Sequence, residues 1–406
     1  MEHTRSHPRA ARRTAGMLLL AVLTLLPACR EGGTKPPVVV PGATARTELL
    51  GAAGACVLTT AREFQAAAVE LDTAVAALAA RPEARTREAA RAAYHRAMEA
   101  WQVVEVMQVG PAARRALPGG ADVRDNIYSW PLVSRCAVEE QLVSRGYESA
   151  DFPTAPLVNR RGLFPLEYLL FHEGGDTACP ASSPVVSGGG WAALSAEELA
   201  ARKRAYAAVL AADVRRRAAR LVEAWETDKG GFSRTLETAG TGNAVFPTTQ
   251  AALNALSDAL FYVETEVKDK KLAVPLGLRD CAGDTCPEAL ESPFTGRSKA
   301  NLRANLVGLR RLTEGCGAGY AGTGFDDVLV AVGSETLATK LRERAVAAEA
   351  ALAAIEEADL RDALDQDKAS MRALYDAVKG VTDVLKTEFV TVLDLELPEG
   401  TDGDND

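Results

Sequence analysis

The chain has 406 residues, 47% hydrophobic and 25% charged, with seven cysteines and a formal net charge of −9. An acidic balance of that size argues against nucleic acid or an anionic lipid surface as partner. Beyond the first 28 residues no stretch approaches the ~20 consecutive apolar residues of a membrane-spanning helix.

Residues 1–28 read as an export signal, with Arg5, Arg9, Arg12 and Arg13 ahead of an apolar run from Met17 to Leu26. That run, about ten residues, is too short to cross a bilayer. Leu26-Pro27-Ala28-Cys29 resembles a bacterial lipobox, so Cys29 is the expected lipidation site. The mature chain is then expected to be held by its N-terminal lipid to a membrane of the bacterial envelope, the outer membrane facing the periplasm. An ordinary signal peptide with an incidental cysteine is the plainer alternative. Residues 1–28 carry four arginines and one glutamate, so their removal takes the net charge from −9 to −12. The remaining Cys56, Cys136, Cys179, Cys281, Cys286 and Cys316 are even in number. In an exported chain that predicts disulfides, with about fifteen possible pairings. Cys281 and Cys286 are near enough for a local loop, and without a nearby histidine they make a poor zinc site.

Residues 29–47 are rich in Gly, Pro, Thr and Val and read as a flexible tether, after which the chain becomes alanine-rich and helical in period. Phe64, Ala68, Leu71, Val75 and Leu78 step by four and three, and Arg81-Pro82 breaks that helix. Tyr94, Met98, Trp101, Glu105 and Gln108 step the same way towards a stop at Gly110-Pro111, which leaves Glu105 on the edge of a core face. Trp130, in Ser129-Trp130-Pro131, is either ordinary core or the start of a helix facing a site.

The chain is organised around Arg161-Gly162-Leu163-Phe164-Pro165-Leu166-Glu167-Tyr168-Leu169-Leu170-Phe171-His172. Pro165 suits the first turn of a helix, and Gly174-Gly175 ends it. Only Glu167 and His172 interrupt the apolar residues after Gly162, so the helix is expected to be buried, with a carboxylate that needs a partner such as Arg160 or Arg161. Residues 174–194 form a long Gly-, Ser- and Pro-rich loop containing Cys179, and a disulfide there would pin it. Ser195 and Glu198 open a further helix by a capping box, and Arg215, Arg216, Arg217 and Arg220 on it read as a solvated face.

The stretch resembles the glycine-any-histidine-any-any-glutamate motif of the imelysin family, the insulin-cleaving and iron-regulated bacterial envelope proteins. Gly162 and Glu167 match; Phe164 stands at the histidine. The tryptophan-bearing helix running into Gly110-Pro111 and the Trp130-Pro131 pair are similar to the family's first domain. Glu291-Ser292, followed by a helix with Asn301, Asn305 and Gly308, is similar to its second, with Asn301 where an aspartate is expected. The terminal Asp402-Gly403-Asp404 also fits the family, and as a calcium loop it lacks the closing glutamate.

The expected architecture is all-α, two helical-bundle domains packed around a cleft. The first covers residues 48–230 and the second 231–397, with the boundary at the glycines between 230 and 242 and an acidic tail at 398–406. The resemblance implies that Gly162, Phe164, Glu167, Trp130, Glu105, Glu291, Ser292, Asn301 and Asn305 face the cleft. As a peptidase the protein would need about three metal ligands and a general base. The mature chain has only His95 and His172, neither at the motif position, and nucleophilic catalysis would need one of the same two. The reading is therefore a ligand- or metal-binding or scaffold lipoprotein without peptidase activity, for which the resemblance implies a setting in iron uptake. The alternative is a metal-dependent peptidase of the imelysin type. No cofactor is required, but oxygen donors such as Glu105, Glu167 and Glu291 suit ferric iron, and iron or haem transport proteins are the expected partners.

Overall fold

The computed structural model describes residues 40–154, 157–398 and 401. The export signal, Cys29, most of the expected tether and Asp402–Asp406 lie outside the described residues. Among the described residues every regular element is a helix, as the period of the sequence predicts.

Helix α1 (Ala43–Ala80) starts after Gly42 and ends just before Pro82, and Phe64, Ala68, Leu71, Val75 and Leu78 form its buried stripe. Residues 43–47, expected as tether, are already helical. They follow Gly42, and Arg46 anchors them by donating to Gln250 Oε1 at 2.8 Å and to the Leu393 carbonyl at 3.1 Å. Helix α2 (Ala84–Glu105) buries Tyr94, Met98, Trp101 and Glu105. It ends at Glu105 instead of Gly110-Pro111, because the chain leaves the helix to bury Val106, Met107 and Val109.

Two short helices follow, α3 (Val123–Ile127) and α4 (Arg135–Ser144), the second capped by Ser134, whose Oγ accepts from Ala137 N. Trp130 sits in the turn between them and begins no helix. The buried helix is α5 (Leu163–Phe171). The loop beyond it carries α6 (Pro184–Ser187) and is pinned by Cys136–Cys179. Ser195 Oγ accepts from Glu198 N at 3.1 Å and opens α7 (Ala196–Trp225). The arginines of α7 are not a freely solvated face. Arg215 pairs with Asp72 of α1 at 2.6 Å, and Arg217 donates to the Pro153 carbonyl at 2.7 Å, so these two tie α7 to its neighbours.

The rest of the chain builds α8 (Phe232–Glu237), α9 (Thr249–Leu260), a π-helix (Val263–Ala273) and α10 (Ser298–Thr313). Then come α11 (Phe325–Ala331), α12 (Glu335–Ala354), α13 (Leu360–Gln366) and α14 (Lys368–Val384). A π-turn (Leu385–Phe389) leads into α15 (Val390–Leu393). Between α12 and α14 the chain holds the short helix α13, capped by Asp359 accepting from Arg361 N.

Helix α1 packs along α2, α7 and α8 and also meets α9, α10 and α11, while α14 packs on α12 and the π-helix. One apolar core runs through all of them, from Leu49 to Leu393. Helix α10 lies against α2 because Gly308 leaves room: a Cβ there would stand 2.6 Å from the Val103 carbonyl oxygen. The six cysteines among the described residues pair as Cys56–Cys316, Cys136–Cys179 and Cys281–Cys286. The first joins α1 to the end of α10 across 260 residues of sequence.

Candidate functional site

Helix α5 starts at Gly162, whose φ of 83° and ψ of −160° belong to backbone that only glycine adopts readily. A Cβ there would lie 2.2 Å from the Ile127 carbonyl oxygen, so the glycine also lets α5 rest against the end of α3. Leu163 to Leu170 are all buried. Glu167 is fully buried with them, and its partners are not Arg160 or Arg161. Arg160 pairs with Glu140 and Arg161 donates to the Pro153 carbonyl. Instead Glu167 Oε1 accepts from Phe294 N at 3.0 Å, Thr295 N at 2.9 Å and Thr295 Oγ1 at 2.8 Å. Burial pushes its carboxyl up to about 7; the Thr295 hydroxyl and the two backbone N–H groups offset only part of that.

The turn that grips Glu167 is built from the Glu291-Ser292 stretch. Ser292 has a left-handed φ of 57°. Asn301 Nδ2 donates to Ser292 Oγ at 3.0 Å, and Ser298 Oγ donates to the Glu291 carbonyl. One turn of chain is thus held from α5 on one side and α10 on the other. Phe164 is buried one helical turn before Glu167, its ring centroid 6.3 Å from that of Phe294.

Behind this turn lies a second buried cluster, centred on Lys271 of the π-helix. Its ammonium donates to Gln102 Oε1 at 2.7 Å and Asn305 Oδ1 at 2.9 Å. It stands 3.0 Å from Glu291 Oε2, an ion pair not aligned as a hydrogen bond, and 4.0 Å from Glu105 Oε2. Gln102 Nε2 donates to Glu291 Oε1 at 2.9 Å, and Asn305 Nδ2 to the Gln102 carbonyl at 2.9 Å. Arg124 Nη2 donates to Glu105 Oε1 at 2.7 Å and to the Trp130 carbonyl at 2.6 Å. The Trp130 and Tyr262 rings face the ammonium, with centroids 5.6 and 5.5 Å away. Burial raises the Glu105 carboxyl above its ordinary value, against the pull of Arg124 and Lys271.

The residues singled out in the sequence therefore gather. Gly162, Phe164, Glu167, Ser292 and Asn301 surround the gripped turn; Glu105, Trp130, Glu291 and Asn305 surround Lys271. Sequence reasoning missed Gln102, Arg124, Tyr262 and Lys271 itself. A signal for the last existed: Val263, Val267 and Lys271 step by four, which places a lysine on an apolar stripe. Neither histidine stands at the motif position, but both border the site. The His172 ring lies 5.6 Å from that of Phe294 in the gripped turn, with Nε2 3.1 Å from Asp176 Oδ1, and the His95 ring packs 5.1 Å from Phe171 with its Nδ1 buried and unpartnered.

Glu105, Glu167 and Glu291, expected as oxygen donors to iron, do not form a metal centre. Among the described residues no group of three or more His, Cys, Asp or Glu side chains is placed to hold an ion. Two of the carboxylates already share the Lys271 cation, and one oxygen of Glu167, Oε1, is spent on the turn. The donor set does not fit a metal. Several buried polar atoms here have no hydrogen-bond partner: Glu167 Oε2, Glu105 Oε2, Asn301 Oδ1, the Tyr94, Tyr128 and Tyr262 hydroxyls, and Arg297 Nε and Nη2. Glu167 and Glu291 both add to the upward push of burial on the Tyr94 hydroxyl, which Arg297 opposes, so these groups share one neighbourhood.

The family profile described as Imelysin matches residues 57–387. This chain belongs to the imelysin family. It is 24% identical over 331 residues to iron-regulated protein A of Synechococcus elongatus, covering 81% of each chain. An imelysin-like protein of Psychrobacter arcticum has a similar fold, with a TM-score of 0.66 at 18% identity over 89% of this chain and 98% of that one. A structure provisionally described as an iron-regulated protein A precursor, from Parabacteroides distasonis, also gives 0.66, at 15% identity over 88% and 96% of the two chains. The pieces that carried the resemblance to imelysins, Gly162 to Glu167 and Glu291 to Gly308, are those that meet at the gripped turn.

Proposed function

We propose that this imelysin is an exported, lipid-anchored binding protein of the bacterial envelope, holding a small polar ligand in an iron-uptake setting, and not a metallopeptidase. The observation that carries the reading is the donor set at the motif. Phe164 offers a ring where an imidazole ligand is expected, and Lys271 takes up the charge of Glu105 and Glu291. A divalent ion would have to displace a buried ammonium that makes two hydrogen bonds, a costly exchange. The unpartnered atoms of Glu167, Asn301, Arg297 and the tyrosines favour a polar guest, since each orphaned buried polar group costs about 1–3 kcal/mol. The iron setting leans on the names of the relatives and on nothing in the side-chain geometry.

One observation favours the peptidase alternative: a carboxyl pushed up to about 7 is suited to general acid–base work. Both readings meet in one experiment. Purified, oxidised protein is titrated calorimetrically with Zn²⁺ and ferric citrate, then incubated with an unfolded polypeptide with and without each metal. The expected result is no stoichiometric binding tighter than about millimolar, roughly −4 kcal/mol, and no metal-dependent cleavage. Micromolar binding lost in Glu167→Ala overturns the small polar ligand in favour of a metal site, and metal-dependent cleavage lost in the same variant overturns the proposal in favour of the peptidase.

A further inference from the structure

A cavity of about 320 Å³ opens between the C-terminal end of α5 and the first turns of α2 and α7, on residues distinct from those gripping the turn at Glu167. Volumes of this order are typical of small-ligand sites. Four cationic side chains line it: Arg87 and Arg91, one turn apart on α2, and Lys203 and Arg204 on α7. Leu78, Leu170 and Leu199 supply apolar wall. Glu173 is the one carboxylate on the lining, and Arg91 already pairs with it at 2.7 Å while donating to the Leu170 carbonyl at 2.8 Å.

The charge balance is unusual for this molecule. Acidic residues outnumber basic ones, 55 to 46, and most arginines of the fold are tied to a carboxylate. Arg87 and Arg204 are not: among the described residues neither side chain has an ion pair or a hydrogen bond. Lys203 is only 7% exposed, and its ammonium has backbone carbonyls for partners, His172 O at 2.8 Å and Gly174 O at 3.4 Å. Burial, with Arg135 nearby, pulls it down to about 8. The cavity thus sets four cations against one lining carboxylate, Glu173, whose charge also reaches Arg87 and Lys203, and leaves an excess of positive charge beside hydrocarbon.

We infer that this cavity binds an organic carboxylate: an anionic head received by Arg87, Arg204 and Lys203, and an apolar body laid against Leu78, Leu170 and Leu199. Guanidinium groups match carboxylates in planar, paired hydrogen bonds, and an ammonium adds a point charge. The leucines distinguish the guest from an inorganic anion, which has nothing to place against them.

Calorimetric titration of the full oxidised protein with octanoate, 1-octanol and inorganic phosphate tests this. Octanoate is expected to saturate one site, with both controls at least tenfold weaker. Arg87→Ala and Arg204→Ala should each weaken octanoate about tenfold, the loss of one charged hydrogen-bonding partner. Both positions lack structural partners, so the far-ultraviolet circular dichroism and the urea midpoint should stay those of the wild type. Equal affinity for octanoate and octanol overturns the anionic head, and phosphate binding as tightly as octanoate overturns the apolar body. Octanoate affinity unchanged in the Arg87→Ala/Arg204→Ala double variant removes the site altogether.

Discussion

Glu167 combines complete burial with three hydrogen bonds on one oxygen and none on the other. Its folded-state carboxyl titrates near 7 against an ordinary value of 4.5. A raised carboxyl keeps its proton in the folded state when the unfolded chain has already lost it. Stability from this group is therefore full below pH 4.5 and is lost as pH rises through 7, a decline of about 3 kcal/mol. Glutamine keeps an acceptor for the Phe294 and Thr295 donors and cannot ionise. The difference in stability between Glu167→Gln and wild type should therefore grow by that amount from pH 4.5 to 7.5, in favour of the variant. Urea unfolding at several pH values measures it, and a difference that does not move with pH would refute the assignment. Glu167→Ala is the harsher change, since it strands two backbone N–H groups and a hydroxyl at about 1–3 kcal/mol each.

At the scale of elements, α5 is placed by what precedes it more than by its own sequence. An all-apolar helix can bury any face, and Gly162 selects the one that brings Glu167 onto the turn at residues 291–295. Gly162→Ala adds a Cβ 2.2 Å from the Ile127 carbonyl oxygen at a φ of 83°. Gly189→Ala has a similar φ of 72° and open space around its Cβ. The loop variant should lose about 1–2 kcal/mol for its left-handed backbone. Gly162→Ala should lose several kcal/mol, because α5 must also move. Equal urea midpoints for the two would show that the close approach of α5 to α3 is unimportant. The π-helix matters in the same way: its wider turns carry Lys268 and Lys271 inside the fold, both fully buried or nearly so.

The whole molecule is closed by its longest covalent link. Cys56–Cys316 spans 260 residues and Cys281–Cys286 only five. By chain entropy the first restricts the unfolded state by about 5 kcal/mol and the second by about 2 kcal/mol. Cys56→Ala/Cys316→Ala should accordingly lower the urea midpoint much further than Cys281→Ala/Cys286→Ala. Equal losses would mean that the long link adds little beyond its local packing. The proposed anchoring is tested at the same scale. Cys29→Ser is expected to move the protein from the membrane fraction to the soluble envelope fraction, and a variant that stays membrane-bound to the same extent would rule the lipid out.

Helix class, the buried stripe of α1 and the burial of α5 were legible in the sequence, because apolar periodicity reports directly which face leaves water. The short motifs shared with imelysins also picked out residues that the fold brings together at the gripped turn and around Lys271. Local signals also marked Ser195 as a cap and Pro82 as a stop. Where α2 ends was not legible, because Val106, Met107 and Val109 obey the core and not the next glycine. The partners of Glu167 were hidden for a related reason. They are backbone N–H groups more than 120 residues away, and no side-chain type announces a free backbone donor. Lys271 was missed although it stands on an apolar stripe, and its role among Glu105, Glu291, Gln102 and Asn305 exists only once α2, the π-helix and α10 meet. Sequence by itself determined which residues must be buried. Only tertiary structure decided which charges are buried together, since electrostatic pairing depends on distances between segments that the order of the chain does not contain.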